Sequence, residues 1–403
     1  MQIISRPNIL DSIIFLLLMS GPPRLRFRDP LSSLYGEIDW SILLNIIVWF
    51  LGALWIFFQY NWFHFIRLPL SKLKFIQVVS FLFVFALFPS VLISPFKYLS
   101  FYRVFQILIA LLFLYMWISK FGVESCIKCL SYGYTILIIL IVLAASFSPS
   151  LVLVGHRLRG DLIGNAGAIA VMGLIVAGKY PLTKNRFIQI ILFLIFVFVL
   201  FFSRTRSAIF TFLFIISLVA IRGSIMTNLR KVIYIAFSSI PIALLSVYIE
   251  KAISWIIREQ ETVATLSDRI PLWQYTITKA MQISPLIGIG LYANRLILMS
   301  YNPGLGTSHS AFVEILVGGG ILSFSIFCVL VFMLIYYALV MYFVYGQNAN
   351  AMILTCLLIS TLLIGFVSEE MIIASPTSFT FFALISLFPS LKDELSYEYY
   401  NGS

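Results

Sequence analysis

The stretch Thr265 to Gly320 gathers the residue types that could move a group from one molecule to another. It reads TLSDRIPLWQYTITKAMQISPLIGIGLYANRLILMSYNPGLGTSHSAFVEILVGGG, with Arg269 near its start, Arg295 in its middle, and His309 and Glu314 near its end. A guanidinium fork stabilises charge developing on a departing phosphate, and far more so where water is excluded. A neutral imidazole can take the proton from an attacking hydroxyl near pH 7. These parts suit transfer of a group off a phosphate leaving group. Such a step needs no bound metal, and the outer side carries no DxD pair or HExxH motif, so no cofactor is predicted.

Each residue also has a plainer use. A histidine at a helix start can serve as a cap, Glu314 can favour a helix N-terminal dipole, and Arg295 can be a surface charge. Arg269 in the first turn of a helix opposes that dipole, which points to a role beyond local structure. Three further arginines are candidates for holding phosphate. Arg204 and Arg206 lie in FFSRTRSAIFTF, a turn so short that both cations must sit at membrane depth between two apolar helices. Arg159 stands with His156, Arg157 and Asp161 in LVGHRLRGDLIGNAG, where an exposed ion pair is as good an account as a ligand.

The elements that must position these residues are apolar. The chain is 61% hydrophobic, 16% aromatic and 11% charged, with a mean hydropathy of +1.03, which excludes a soluble globular protein. An all-α, polytopic integral membrane protein is predicted, a single transmembrane domain over residues 1–403. Twelve spans are read at approximately 9–20, 41–59, 75–95, 101–119, 130–148, 162–178, 187–202, 205–221, 231–248, 320–344, 349–366 and 371–389. Residues 249–319 form one large outer loop bearing short helices, with a surface-lying amphipathic helix in EKAISWIIREQE. With both termini cytoplasmic, the 27 Lys and Arg residues split almost evenly between the two sides. Separated by type they do not: Lys72, Lys74, Lys120, Lys128, Lys179, Lys184 and Lys231 fall inside as insertion favours, while most arginines fall outside. Outer arginines suit a phosphorylated ligand on that face.

In the long stretch, Ser267 and Asp268 are placed to cap a helix with Leu272, Trp273, Thr276, Ile277 and Ala280 at helical spacing. Pro285, Gly288 and Gly290 end it, and a short helix from Ala311 to Leu316 carries Glu314. Cys126 and Cys129 form a lone CxxC read as a short polar loop with no metal or redox role. The tail KDELSYEYYNGS is read as frayed. Neither a P-loop nor a nucleotide-binding glycine pattern occurs, and no nucleic acid is predicted among the partners.

The order HRLRGDLIGNAG, SRTRSAIF, SDRIPLWQYTITKAMQISPLIGIG and SHSAFVEILVGGGILS resembles the bacterial O-antigen polymerase and O-antigen ligase superfamily, over roughly Gly155 to Ser323. The resemblance implies a membrane glycosyltransferase fold and an inverting, metal-independent enzyme of the inner membrane, working on the periplasmic face. It implies that Arg204 or Arg206 and Arg269 hold the undecaprenyl diphosphate of a lipid-linked oligosaccharide donor and that His309 meets the acceptor hydroxyl. It further implies the bilayer and a second lipid-linked repeat unit, or the sugar of lipid A-core, as partners, with a chain-length regulator possible on the apolar outer surfaces. Polymerase is preferred over ligase. Two departures stand out: the family's usual Asn after the histidine is Ser310, and its Asn-Pro-Asn is Asn165-Ala166-Gly167. A transporter of the same lipid-linked sugar is the rival class, but it would show paired broken helices in two halves. A non-catalytic assembly partner would tolerate loss of His309.

Overall fold

A computed structural model describes residues 6–20, 40–59, 73–147, 153–154, 157–158, 185–202, five positions between 211 and 218, 266–301, 308–367, 371 and 375–401. Among these the elements are α1 (Ile9–Ser20), α2 (Trp40–Gln59), α3 (Phe75–Ile93), α4 (Lys97–Phe147), β1 (Leu153–Val154), β2 (Arg157–Leu158), α5 (Arg186–Phe202), α6 (Leu266–Ile283), α7 (Asn294–Tyr301), α8 (Ala311–Phe343), α9 (Ala349–Val367) and α10 (Pro376–Asn401). Among the described residues the fold is helical apart from one antiparallel pair, Leu153 with Leu158 and Val154 with Arg157, a detail the all-helical expectation lacked. Among the described residues, four helical segments are long and apolar enough to cross a membrane: Phe75–Ile93, Lys97–Leu140, Ala311–Phe343 and Ala349–Phe366. Helices answer the apolar runs because lipid offers no partner to a free peptide group, so each span satisfies its backbone internally. The predicted spans 162–178 and 231–248 lie outside the described residues, and 205–221 lies largely outside them.

Three boundaries differ from the sequence reading. The spans predicted at 101–119 and 130–148 are joined in α4, broken only at Gly122, whose φ of 81° and ψ of 171° turn the chain. Because that single glycine makes the turn, no loop is needed; Cys126 and Cys129 are helical and buried, and Lys128 pairs with Glu124 one helical turn away at 2.8 Å. The helix predicted at 311–316 and the span predicted at 320–344 are one element, α8, broken at Gly320. The tail is helical to Asn401, held by Lys74 to Asp393 at 2.6 Å and by the hydroxyls of Tyr345 and Ser396 at 3.2 Å.

An aromatic knot holds the bundle together. Phe15 of α1 lies 4.7 Å from Trp117 of α4 and 5.2 Å from Phe379 of α10, and Trp55 of α2 lies 4.6 Å from Phe113 of α4, ring centre to ring centre. Asp11, although buried, is satisfied: its oxygens accept from Asn8 N at 3.1 Å and Trp55 Nε1 at 2.8 Å, while its own N–H donates to Asn8 Oδ1 at 2.7 Å. That exchange between Asn8 and Asp11 caps α1 and pins it to α2. A second, smaller core of Ala280, Ile289, Ala293, Ile297, Val313 and Val317 lies beneath α6 and α7, with Phe96 and Trp273 packed on it.

Candidate functional site

α6 stops at Ile283, and the chain then runs beside the break in α8. In an unbroken helix the carbonyls of Val317 and Gly318 would accept from the N–H groups of Ile321 and Leu322. Here they accept from Ile289 N at 3.1 Å and Gly290 N at 2.8 Å, while Ile321 N and Leu322 N donate to Pro285 O at 3.0 Å and Leu286 O at 3.1 Å. Four of the backbone groups released by the break are therefore recaptured. The exchange needs backbone against backbone. Gly288 and Gly320, with φ of 73° and 70°, face each other so closely that a Cβ on either would overlap the other's strand.

The next residues hang from that frame. Tyr292 has a φ of 70°, and its N–H donates to Glu314 Oε1 at 2.8 Å; Asn294 Nδ2 donates to Glu314 Oε2 in a short contact. Glu314 is only 3% exposed, in the first turn of α8, so its carboxylate fixes the turn that leads into α7. Two guanidinium groups lie against the Tyr292 ring, Arg103 of α4 at 4.6 Å and Arg295 of α7 at 4.8 Å from its centre, and both lie within electrostatic reach of Glu314. Arg295 Nε is buried and has no hydrogen-bond partner among the described residues.

On the other side of the α8 N-terminus, α6 presents Leu272, Thr276 and Ala280 to the interior, as their spacing predicts. The helix starts at Leu266, so Pro271 falls inside it; the side chains of Ser267 and Asp268 lie outside the described set. Trp273 Nε1 donates to the carbonyl of Ser308 at 2.7 Å, which ties α6 to the segment carrying His309. Arg269 is one turn before Trp273, on the same helix face. Its charge reaches His309: burial first, and the Arg269 guanidinium second, push the imidazole below its ordinary pKa. Burial likewise lowers the pKa of Arg269. His309 sits at a φ of 53°; it and Tyr292 are the non-glycine residues with left-handed backbone among those described. Such conformations cost roughly 1–3 kcal/mol and persist where surroundings enforce them.

Ser310 follows in extended conformation and is the N-cap of α8, its hydroxyl accepting from Val313 N at 3.5 Å. The departure from Asn at this position thus falls where Ser and Asn cap about equally well. Of the sequence candidates, Arg269 and His309 are brought together, Arg295 and Glu314 meet around Tyr292, and Arg159, Arg204 and Arg206 lie outside the described residues. Sequence reasoning missed Arg103, Tyr292, Asn294 and the tethering role of Trp273. Arg103 had a signal, a lone cation in the apolar run YLSFYRVFQILIALL, since charge inside a span is rarely idle.

A helical bundle with several apolar spans, carrying arginines and one imidazole on a broken-helix frame, defines a multi-pass membrane protein with a polar site at the end of its helices. Residues 191–328 match the family model of O-antigen ligase, which supports the O-antigen ligase and polymerase superfamily and a membrane enzyme of glycosyl-transfer type. The matched segment contains Arg269, Arg295, His309 and Glu314. No curated protein matches the chain.

Proposed function

We propose that the protein is a glycosyltransferase that polymerises undecaprenyl-diphosphate-linked repeat units of O-antigen or a related surface polysaccharide on the periplasmic face of the bacterial inner membrane. The observation that carries this reading is Arg269 and His309 coupled across the Trp273–Ser308 hydrogen bond, inside the segment that matches the family model. His309, kept neutral by burial and by Arg269, takes the proton of the acceptor hydroxyl. The hydroxyl oxygen bonds to the anomeric carbon as the bond from that carbon to the diphosphate oxygen breaks, with inversion. Arg269, with Arg204, Arg206, Arg159 and Arg295, holds the diphosphate and stabilises its departing charge. Glu314 acts on the acceptor side as a positioning residue, by fixing Tyr292 and Asn294. The large loop of residues 249–319 carries this machinery outside the membrane, and neither a metal nor another cofactor takes part.

The description of the matching family model favours a second reading, transfer of the finished glycan to lipid A-core. Chain-length profiles of surface polysaccharide separate the two. In a deletion strain complemented with His309→Ala or Arg269→Ala, loss of a polymerase leaves core capped with a single repeat, and loss of a ligase leaves bare core. Loss of a transporter strands the lipid-linked unit inside. Wild-type profiles from both variants would remove the catalytic assignment.

A further inference from the structure

The turn between α3 and α4 lies outside the segment that matches the family model, yet with the start of α4 it meets the site at three consecutive residues, Gly290, Leu291 and Tyr292. At Gly290, whose φ is 95°, a Cβ would lie 2.5 Å from Ser94 Cβ and 2.7 Å from Ser100 Oγ, so the two chains approach more closely there than a side chain would permit. Ser100 Oγ donates to the Leu291 carbonyl at 2.9 Å and shares a 2.7 Å hydrogen bond with Ser94 Oγ, which also accepts from Phe96 N at 3.1 Å. Ser94, Ser100 and Leu291 are all buried. Arg103 is one turn beyond Ser100 on the same face of α4, and its guanidinium lies 4.6 Å from the centre of the Tyr292 ring. α3 also grips α8 beyond the break, where Ser323 Oγ donates to the Ala86 carbonyl at 2.8 Å.

Packing alone would be met by an apolar side chain at position 103, and a guanidinium inside an apolar run is costly to place. What it adds is charge with a fixed direction. Arg103 Nη1 donates to Gln106 Oε1 at 2.8 Å, and Asn45 Oδ1 of α2 accepts from Gln106 Nε2 at 2.8 Å and from the Tyr102 hydroxyl at 2.5 Å, so the cation is anchored from behind. In front of it, Arg295 lies 4.8 Å from the centre of the same tyrosine ring, and Glu314 is within electrostatic reach of both arginines. Two cations thus share one ring and one carboxylate. Removing Arg103 would lift its repulsion from Arg295 and let Glu314 draw that guanidinium toward α8.

We infer that the start of α4 is a clamp on the site: Ser100 and Arg103 are positioning residues that fix the Gly290–Tyr292 segment and, through the Tyr292 ring and Glu314, set where the Arg295 guanidinium points. For what the site does, the inference rests on the proposed transfer reaction; for how the site is held, it rests on the contacts of α4 alone. It brings into the site two residues from the first third of the chain, far from the matched segment in sequence. Neither of them touches the substrate; both act through Arg295.

The test uses the full chain in phosphatidylcholine nanodiscs, with two readouts: transfer from an undecaprenyl-diphosphate-linked repeat unit, and thermal melting. Arg103→Gln lowers kcat/KM for the donor by about tenfold or more, as a misplaced binding group does, and Ser100→Ala lowers it by roughly threefold. Arg103→Lys, which keeps the charge, recovers part of the loss. Arg103→Gln combined with Arg295→Gln is no slower than Arg295→Gln alone, because the first residue acts through the second. In the melts, Arg103→Gln and Glu314→Gln together lower the midpoint by less than their separate losses combined, since each alone strands the other's charge. Wild-type kcat/KM in folded Arg103→Gln, or additive losses with Arg295→Gln, overturns the clamp. If Arg103→Gln does not accumulate, Arg103→Lys and Ser100→Ala decide by the same measurements. If the wild type transfers nothing, the transfer reading fails and the melts alone decide: coupled losses keep the clamp, and additive losses overturn it.

Discussion

Replacing Trp273 with Phe keeps the aromatic ring and removes one hydrogen bond, the 2.7 Å contact from Nε1 to the Ser308 carbonyl. The edge-to-face contact with Phe366, 6.0 Å between ring centres, remains possible. A half-buried bond of this kind is worth about 1 kcal/mol net, and a carbonyl left without a partner costs about 1–3 kcal/mol. The left-handed backbone of His309, next in the chain, stores roughly 1–3 kcal/mol that the surroundings must hold. Tether and strain are of the same size, so losing the tether shifts His309 from one dominant position to a mixture. At about 1.4 kcal/mol per factor of ten, turnover falls roughly tenfold. The assay is product formation by purified enzyme with a lipid-diphosphate donor, with kcat and KM separated. The expected result is a lowered kcat with donor KM little changed, since Arg269 remains on its helix. Wild-type kcat in a folded Trp273→Phe protein would refute the view that this bond positions the imidazole.

Four other outcomes are expected. His309 has a lowered pKa, so activity that needs neutral imidazole holds through neutral pH and falls only as pH drops through that depressed value; removing the positive neighbour with Arg269→Gln moves the acidic limb of kcat to higher pH. The same shift has a stability sign: its contribution is present above the unfolded pKa and is lost as pH falls through the folded one, because the unfolded chain binds the proton more readily, which thermal melts across acidic pH would show. Gly288→Ala adds a Cβ against the backbone of Gly318 and Gly320 at a φ of 73°, and should cost about 3 kcal/mol or more, seen as a lowered melting temperature or failure to accumulate in the membrane. Ser310→Asn should match wild type in the melt, whereas Ser310→Ala should cost about 1 kcal/mol.

The apolar runs were legible as helices because in lipid no other local structure satisfies the backbone, and α3, α5 and α9 begin and end within a few residues of the sequence expectation. Arg269 and His309 stood out in the sequence because their types are out of place in so apolar a chain, and the structure brings them within electrostatic reach of each other. What the sequence could not show was long-range pairing. That Gly122 turns α4 without a loop, or that Glu314 is tied to Tyr292 and Asn294 twenty or so positions earlier, depends on which backbones meet. Nothing local to Arg103 says that it shares a tyrosine with Arg295.

The glycines on both sides of the α8 break explain how the helix can open there. Opening a helix in an apolar setting strands N–H and carbonyl groups at several kcal/mol each. The segment Pro285 to Gly290 takes up four of those groups, and it can approach only because Gly288 and Gly320 carry no side chains. Once the carbonyls of Val317 and Gly318 are turned toward Ile289 and Gly290, the upper part of α8 is coupled to the chain that leads into Tyr292. The turn at Tyr292 is fastened in turn by Glu314 from that same upper part of α8, two backbone and side-chain links from a single helical turn. His309 precedes this stretch by only a few residues and is fastened from the opposite flank by Trp273. Imidazole and arginines are therefore held by the interruption of a helix rather than by its continuation, and a substitution that healed the break at Gly320 would remove the frame even if every polar side chain were kept.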